Sequence, residues 1–266
     1  MSQAQRTRRE SDADLSYDKM ASQKQLQISP GDDAQTLLTS GTLDVEGLVP
    51  WGSNYTFLAT IRDDARATLA IYKPSRGERP LWDFPTGTLA NREVAAYRVS
   101  QALGWPHIPP TILREGPEGV GMVQLFIEFV DGQHFFTLRD AHRDEMKRIA
   151  AFDAIINNTD RKGGHVLLGA DDKIWCIDHG VTFHEHYKLR TVIWDFTRQR
   201  IPQQIIADMC ALRERLTRGD ALFDSLRELL SPRELRALRA RLDDLIERGT
   251  FPEPPEDWPP VPWPPV

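Results

Sequence analysis

The residue types that could do chemistry concentrate in two short stretches, NNTDRKGGHVLL at 157–168 and IWCIDHG at 174–180. In the first, a helical face carrying Met146, Ile149, Phe152 and Ile156 gives way to a polar loop with Asp160 and Arg161, after which the chain re-enters a strand. A carboxylate fixed in a loop between packed elements can accept or orient a hydroxyl proton, which is what a transfer reaction asks of a general base. In the second stretch, Asp178 ends a short apolar strand and stands two residues before Gly180. Such a carboxylate suits a divalent cation, because magnesium takes one or two carboxylates plus phosphate oxygens and water. With Lys73 on an upstream strand, in AIYKP, the two acids make up the parts that phosphoryl transfer uses.

Simpler readings stand beside these. Lys73 at the end of an amphipathic strand can be a snorkelling surface lysine, Asp160 and Arg161 a local ion pair at a helix end, and Glu93 a first-turn acid favoured by the helix dipole. His179, His184 and His186 with Cys176 match no zinc-ligand spacing. Asp171 and Asp172 belong to a turn and read as solvated, His107 and His134 flank turns, and Trp175 and Phe183 read as core beside the metal loop.

The elements that must position these residues change character along the chain. Residues 41–49, 55–61 and 67–73 read as strands, the first two joined by the turn-rich Pro50-Trp51-Gly52-Ser53-Asn54. From Asn91, an expected N-cap, helical spacing runs to a stop at Gly104. Strands follow around 110–114 and 120–130, then a helix over 139–156, a β pair at 165–168 and 174–178, and helices from about 202 to 247. The expected division is a polar, disordered tail over 1–36, a β-rich N-lobe over 37–130, a helical C-lobe over 131–250 and a Pro-rich tail over 251–266. A crevice between two lobes is a common ligand site. The last segment, FPEPPEDWPPVPWPPV, favours extended polyproline II and reads as a strap laid on the body or as a partner-docking motif.

Composition removes several classes of function. A net charge of −6, from 33 Lys plus Arg against 39 Asp plus Glu, argues against nucleic acid as the main partner. Cys176 and Cys210 are the two cysteines, too few for a disulfide framework, which fits a reducing compartment. No apolar run approaches the roughly 20 residues of a membrane span, and the arginine-bearing N-terminus lacks an apolar signal segment. The expectation is a cytoplasmic protein without a transmembrane segment.

At the two stretches the sequence resembles the phosphatidylinositol 3-/4-kinase-like family, in its loop the type II phosphatidylinositol 4-kinases and the small actinobacterial proteins related to them. That family has Asp-Arg, three variable positions and Asn, then Asp-x-Gly in place of the protein-kinase Asp-Phe-Gly. Here they read Asp160-Arg161-Lys162-Gly163-Gly164-His165 and Asp178-His179-Gly180. The resemblance, over roughly residues 40–200, implies an α+β, two-lobed, protein-kinase-like (lipid-kinase-like) fold with a β-rich N-lobe and a mainly helical C-lobe. It implies Asp160 as catalytic aspartate with Arg161 bracing the loop, and Asp178 as magnesium ligand. Lys73 resembles the strand lysine that binds ATP phosphates, and Glu93 its helix-borne partner. By the same resemblance Gly52, Ser53 and Asn54 cover the phosphates, and Phe126 to Val130, including Glu128 and Val130, form the connector whose backbone meets adenine. The implied cofactors are ATP with Mg2+ or Mn2+. His165 stands where the family has a metal-binding Asn, and imidazole is a softer magnesium ligand than an amide oxygen. Lys162 replaces a frequent His, and the phosphate-covering turn has a single glycine, Gly52, which gives few backbone approaches to phosphate.

The function expected on these grounds is an ATP-dependent phosphotransferase acting on a hydroxyl acceptor, an inositol-lipid-like headgroup, a metabolite or a protein. The alternatives are a nucleotide-binding pseudokinase or interaction module, motivated by His165 and the sparse glycine turn, and a protein Ser/Thr kinase or nucleotidyltransferase on the same fold.

Overall fold

The computed structural model describes residues 32–49, 54–105 and 107–266. Among these the chain divides into two compact units: the described residues up to Leu81 with Pro110–Phe126, and Trp82–Pro109 with Ile127–Val266.

The first unit is built on an antiparallel sheet of β1 (Thr42–Leu48), β2 (Phe57–Arg62), β3 (Ala67–Pro74), β4 (Thr111–Gly116) and β5 (Gly119–Leu125), in the order β1-β2-β3-β5-β4. β2 and β3 are buried on both faces, Leu58 and Leu69 on one and Ile61 and Tyr72 on the other, and a register shift between Val45 and Gly47 bends β1. A helix, α1 (Asp32–Ser40), precedes the sheet and includes residues 32–36 of the segment read from sequence as a polar tail. Its apolar residues Ala34, Leu37 and Leu38 share one helical face and are fully buried. The Arg114 guanidinium donates to the Leu38 and Gly41 carbonyls at 2.7 and 2.9 Å, satisfying acceptors that the helix end leaves open. The strand expected over 120–130 stops at Leu125, and the turn residues 50–53 lie outside the described residues.

The second unit is mainly helical: α2 (Leu89–Ala102), a short α3 (Phe135–Leu138), α4 (Arg143–Ile156), α5 (Gln203–Arg215), α6 (Ala221–Arg227) and α7 (Pro232–Arg248). A small antiparallel pair, β6 (Val166–Leu168) with β7 (Ile174–Cys176), lies among them. Asn91 is not the N-cap of α2. The helix starts at Leu89 after Thr88 and buries Arg92 and Glu93 with its apolar residues, which places α2 in this unit rather than with the sheet. Gly104 ends it at φ +69° as expected, a conformation glycine adopts at no steric cost. The helix expected over 139–156 begins at Arg143, and Met146, Ile149, Phe152 and Ile156 are buried on its face. The α7 helix has a Ser231–Glu234 capping box, Pro232 in its first turn and a Leu235, Leu238, Leu242, Leu245 stripe. Among the described residues no helix is long and apolar enough to cross a membrane.

Candidate active site

The loop bearing Asp160 is shaped by where α4 stops. Asn157 closes the helix at φ +55°, and its side-chain amide donates to the His184 and His186 carbonyls at 3.0 and 2.7 Å. Asn158 donates to Asp153 at 3.0 Å and accepts the Asp160 N–H at 3.0 Å, so the backbone of the proposed base is held from both sides of the bend. Three backbone hydrogen bonds then join the loop to the Asp178 stretch: Thr159 N–H to Val181 O, Ile177 N–H to His165 O, and Phe183 N–H to the α4 terminus at Ile156 O, at 3.1, 3.0 and 2.6 Å.

Arg161 is the bolt of this arrangement. Its fork donates to the Asp153 carboxylate at 2.9–3.2 Å, to Ile177 O at 3.1 Å and to His179 Nε2 at 2.7 Å, with both charged side chains fully buried. Burial opposes the guanidinium's charge, but the Asp153 carboxylate overcomes it and raises the pKa above the ordinary arginine value. His179 is completely buried, and its N–H donates to Glu93 Oε2 at 2.8 Å. Glu93, 2% exposed, thus joins α2 to the Asp178-His179-Gly180 turn, which a solvent-facing first-turn acid would not do.

Asp160 and Asp178 are brought within electrostatic reach of each other. Burial pushes the Asp160 carboxyl up, Lys162 pulls it back, and the Asp178 charge adds to the rise. The Lys162 ammonium lies 3.3 Å from Asp160 Oδ2, so the residue that replaces a frequent His places a positive charge beside this carboxylate. Asp178 keeps half of its side chain exposed and adopts φ +62°, a left-handed conformation that Asp tolerates better than most residues. His165 Nε2 stands 3.5 Å from Asp178 Oδ2, while His165 Nδ1 accepts the Lys162 N–H at 3.4 Å. That acceptance places the hydrogen of the neutral ring on Nε2, facing the carboxylate. Hard carboxylate oxygens with one open side fit a magnesium- or manganese-class cation. Among the described residues no group of three or more His, Cys, Asp or Glu forms a cation cage, so the remaining ligands there would be phosphate oxygens and water.

Other expected site residues are placed as follows. Lys73 lies on β3 of the first unit, opposite Met122 of β5. Asn54 Oδ1 accepts the Arg79 N–H at 2.9 Å, tying the start of β2 to the loop after β3, while Gly52 and Ser53 lie outside the described residues. In the connector, Val130 N–H donates to Leu168 O and Glu128 O accepts from Ala170 N–H, both at 2.8 Å. Phe129 bridges Gly169 between them, and strand alternation turns its own N–H and C=O to the opposite edge. Trp175 and Phe183 are core, and Asp171 does more than face solvent, because it accepts from Trp175 Nε1 and Lys173 N–H at 3.1 and 3.3 Å.

Asp153, Asn158 and His179 are the residues of this site to which sequence reasoning gave no role. Asp153 had a signal, a carboxylate inside the apolar run AAFDAII, where an unpaired charge is costly and a partner must exist.

Comparison with solved structures gives a kinase-like fold. The Golgi casein kinase matches with a TM-score of 0.54 at 14% identity, over 82% of this chain and 73% of that one. The Helicobacter pylori proinflammatory kinase CtkA matches with a TM-score of 0.50 at 12% identity, over 80% and 94%. The Golgi casein kinase with Mn/ADP bound matches with a TM-score of 0.50 at 13% identity, over 82% and 74%. At these identities the likeness is one of fold: a β-sheet N-terminal region and a helical C-terminal region. No family model matches the chain. A curated protein does, at 39% identity over 267 residues, 86% of this chain and 95% of the relative, and by that measure the chain belongs to the family of Protein Rv2133c of Mycobacterium tuberculosis.

Proposed function

We propose that the chain is an ATP-dependent phosphotransferase that moves the γ-phosphoryl group to a hydroxyl acceptor. One observation carries the reading: Asp160 and Asp178, on separate loops, are drawn into electrostatic contact around a buried Asp153–Arg161–His179 network, in a chain of kinase-like fold. In this reading Asp160 orients the acceptor hydroxyl and takes its proton as the oxygen bonds to the γ-phosphorus and the bond to the bridging oxygen breaks. Its raised pKa suits it to accept that proton, and Lys162 beside it compensates the charge. Asp178 would hold the divalent cation, which when bound neutralises phosphate charge. His165 reaches the same cation only if its ring hydrogen moves to Nδ1; otherwise it steers the Asp178 carboxylate by donating to it. Lys73 and Asn54 keep the phosphate-contacting roles that the loop resemblance implies, and within the connector 126–130 the Phe129 backbone, turned away from Gly169, is one group that can meet the base. An inositol-lipid acceptor is the narrower form of the proposal, supported by the Asp160–His165 and Asp178–Gly180 motifs. The Mn/ADP complex of the Golgi casein kinase supports testing manganese beside magnesium.

The test is transfer from γ-labelled ATP, with each cation, to phosphoinositide vesicles, a metabolite extract and a protein lysate. Wild type transfers label in at least one arm, and Asp160→Asn and Asp178→Asn do not. Equal labelling by wild type and Asp178→Asn refutes the assignment. A nucleotide-binding pseudokinase is the second reading, favoured by the donor state of His165. Thermal stabilisation by ATP without turnover in any arm selects it.

A further inference from the structure

The Pro/Trp-rich segment at the end of the chain is bound to the loop that carries Asp160. It is anchored first at Phe251, whose N–H donates to Gln199 O and whose carbonyl accepts from Arg198 N–H, at 3.0 and 3.2 Å. Pro260 O then accepts two donors, Thr191 N–H at 3.0 Å and Trp194 Nε1–H at 3.2 Å. Thr191 bridges Arg161 in parallel, with Arg161 N–H on Arg190 O and Val192 N–H on Arg161 O, both at 3.1 Å. The second contact is direct: Gly163 N–H donates to Pro265 O at 2.7 Å.

The sequence is suited to these contacts on both sides. Five of the nine residues from Trp258 to Val266 are proline, so the segment offers mainly acceptors, while the loop and the 191–194 stretch offer donors that burial would otherwise leave unpaired. A Cβ on Gly163 would stand 2.8 Å from the Phe136 ring and 3.3 Å from Pro265 O, so the close approach of the segment and of Phe136 to the loop leaves little room for a side chain there. Proline also limits the freedom that ordering removes. Pro262 is buried, whereas Trp263 is 86% exposed and contributes little to holding the segment down.

We propose that Phe251–Val266 is a positioning strap for the phosphoryl-transfer loop, with the Pro265 carbonyl fixing the Gly163–Gly164 pair and hence the spacing between Asp160 and His165. The proposal rests on the phosphotransferase reading. Two adjacent glycines form the most pliant part of that loop, and misplacement of a reacting group by about 1 Å can cost a factor of about 100 in rate.

The experiment compares the full-length chain with Pro262→Asp, which places a carboxylate at the buried proline. Two quantities are read, amide exchange at Gly163 and Gly164 by NMR, and kcat and KM for ATP. Release of the strap speeds exchange at Gly163 about 10-fold or more while the α4 amides hold their protection, and lowers kcat about 10- to 100-fold at unchanged KM for ATP. Should Pro262→Asp fold poorly, Pro262→Ser removes the buried ring without adding a charge and is read in the same way. Equal Gly163 exchange in variant and wild type overturns the proposal, and so does faster Gly163 exchange with unchanged kcat. If wild type itself transfers no label, the phosphotransferase reading and the strap's catalytic role fall together, and the exchange rates alone decide whether the strap holds the loop.

Discussion

Removing Asp153 tests the physical core of the site without touching any group proposed to meet substrate. Asp153 and Arg161 are both fully buried, and three of the guanidinium's contacts, at 2.9–3.2 Å, go to that one carboxylate. In Asp153→Ala the guanidinium retains Ile177 O at 3.1 Å and His179 Nε2 at 2.7 Å, neutral acceptors that do not balance its charge. Breaking one side of a buried ion pair costs about 3–5 kcal/mol, because a charge is left desolvated and unpaired. Asn158 also loses its acceptor and with it the geometry of the Asp160 N–H. Urea unfolding followed by tryptophan fluorescence measures the loss. The double variant Asp153→Leu, Arg161→Met removes both charges, so its stability returns to within about 2 kcal/mol of wild type, since an apolar pair of similar volume commonly replaces a buried ion pair at little cost. Its transferase activity stays absent, because the loop has lost its link to Ile177 and His179. A single variant within about 1 kcal/mol of wild type refutes the reasoning, as does a double variant no more stable than the single.

Two further expectations concern titration. Burial pushes the Cys176 thiol up to about 12, so it stays protonated and resists thiol reagents at pH 9, while the partly exposed Cys210 reacts; prompt labelling of both thiols in the native protein contradicts this. Burial lowers the His107 pKa below 6.5, outweighing its hydrogen bond to Ile174 O at 3.2 Å. The unfolded chain therefore binds the proton more readily. Stability is full above about pH 6.5 and is lost as pH falls through the lowered folded-state value, and His107→Gln flattens that dependence in thermal melts. A wild-type melting temperature that rises on acidification through this window contradicts the assignment.

What could be read from the sequence was what is local. The strands of the sheet, the α4 face and the Asp160 and Asp178 loops follow from periods of two and 3.6 and from residues with fixed turn chemistry. The start of α2 was misplaced because Asn91 has N-cap chemistry, yet Leu89 and Ala90 are drawn into the core two residues earlier. The pairing of the connector is hidden in the sequence for a different reason: which edge of 127–130 is occupied depends on the Gly169 turn about 40 residues away, and periodicity carries no such information. Long-range partners were out of reach for the same reason. Nothing near Arg92 announces Glu234, nothing near Gly163 announces Pro265, and Glu93 signals an acid on a helix without signalling the His179 N–H that it holds. The strap was legible as extended and proline-rich, but its place on the loop was not.

The central claim is that the carboxylates at 160 and 178 divide the labour of one site, with 178 holding the cation and 160 serving the acceptor. Titration of manganese with ADP, followed by manganese electron paramagnetic resonance, tests it without knowledge of the acceptor. The account predicts that wild type and Asp160→Asn bind the manganese–ADP complex alike and that Asp178→Asn loses about 10-fold or more in affinity, in line with the loss of a charged ligand. Equal binding by all three proteins would contradict it.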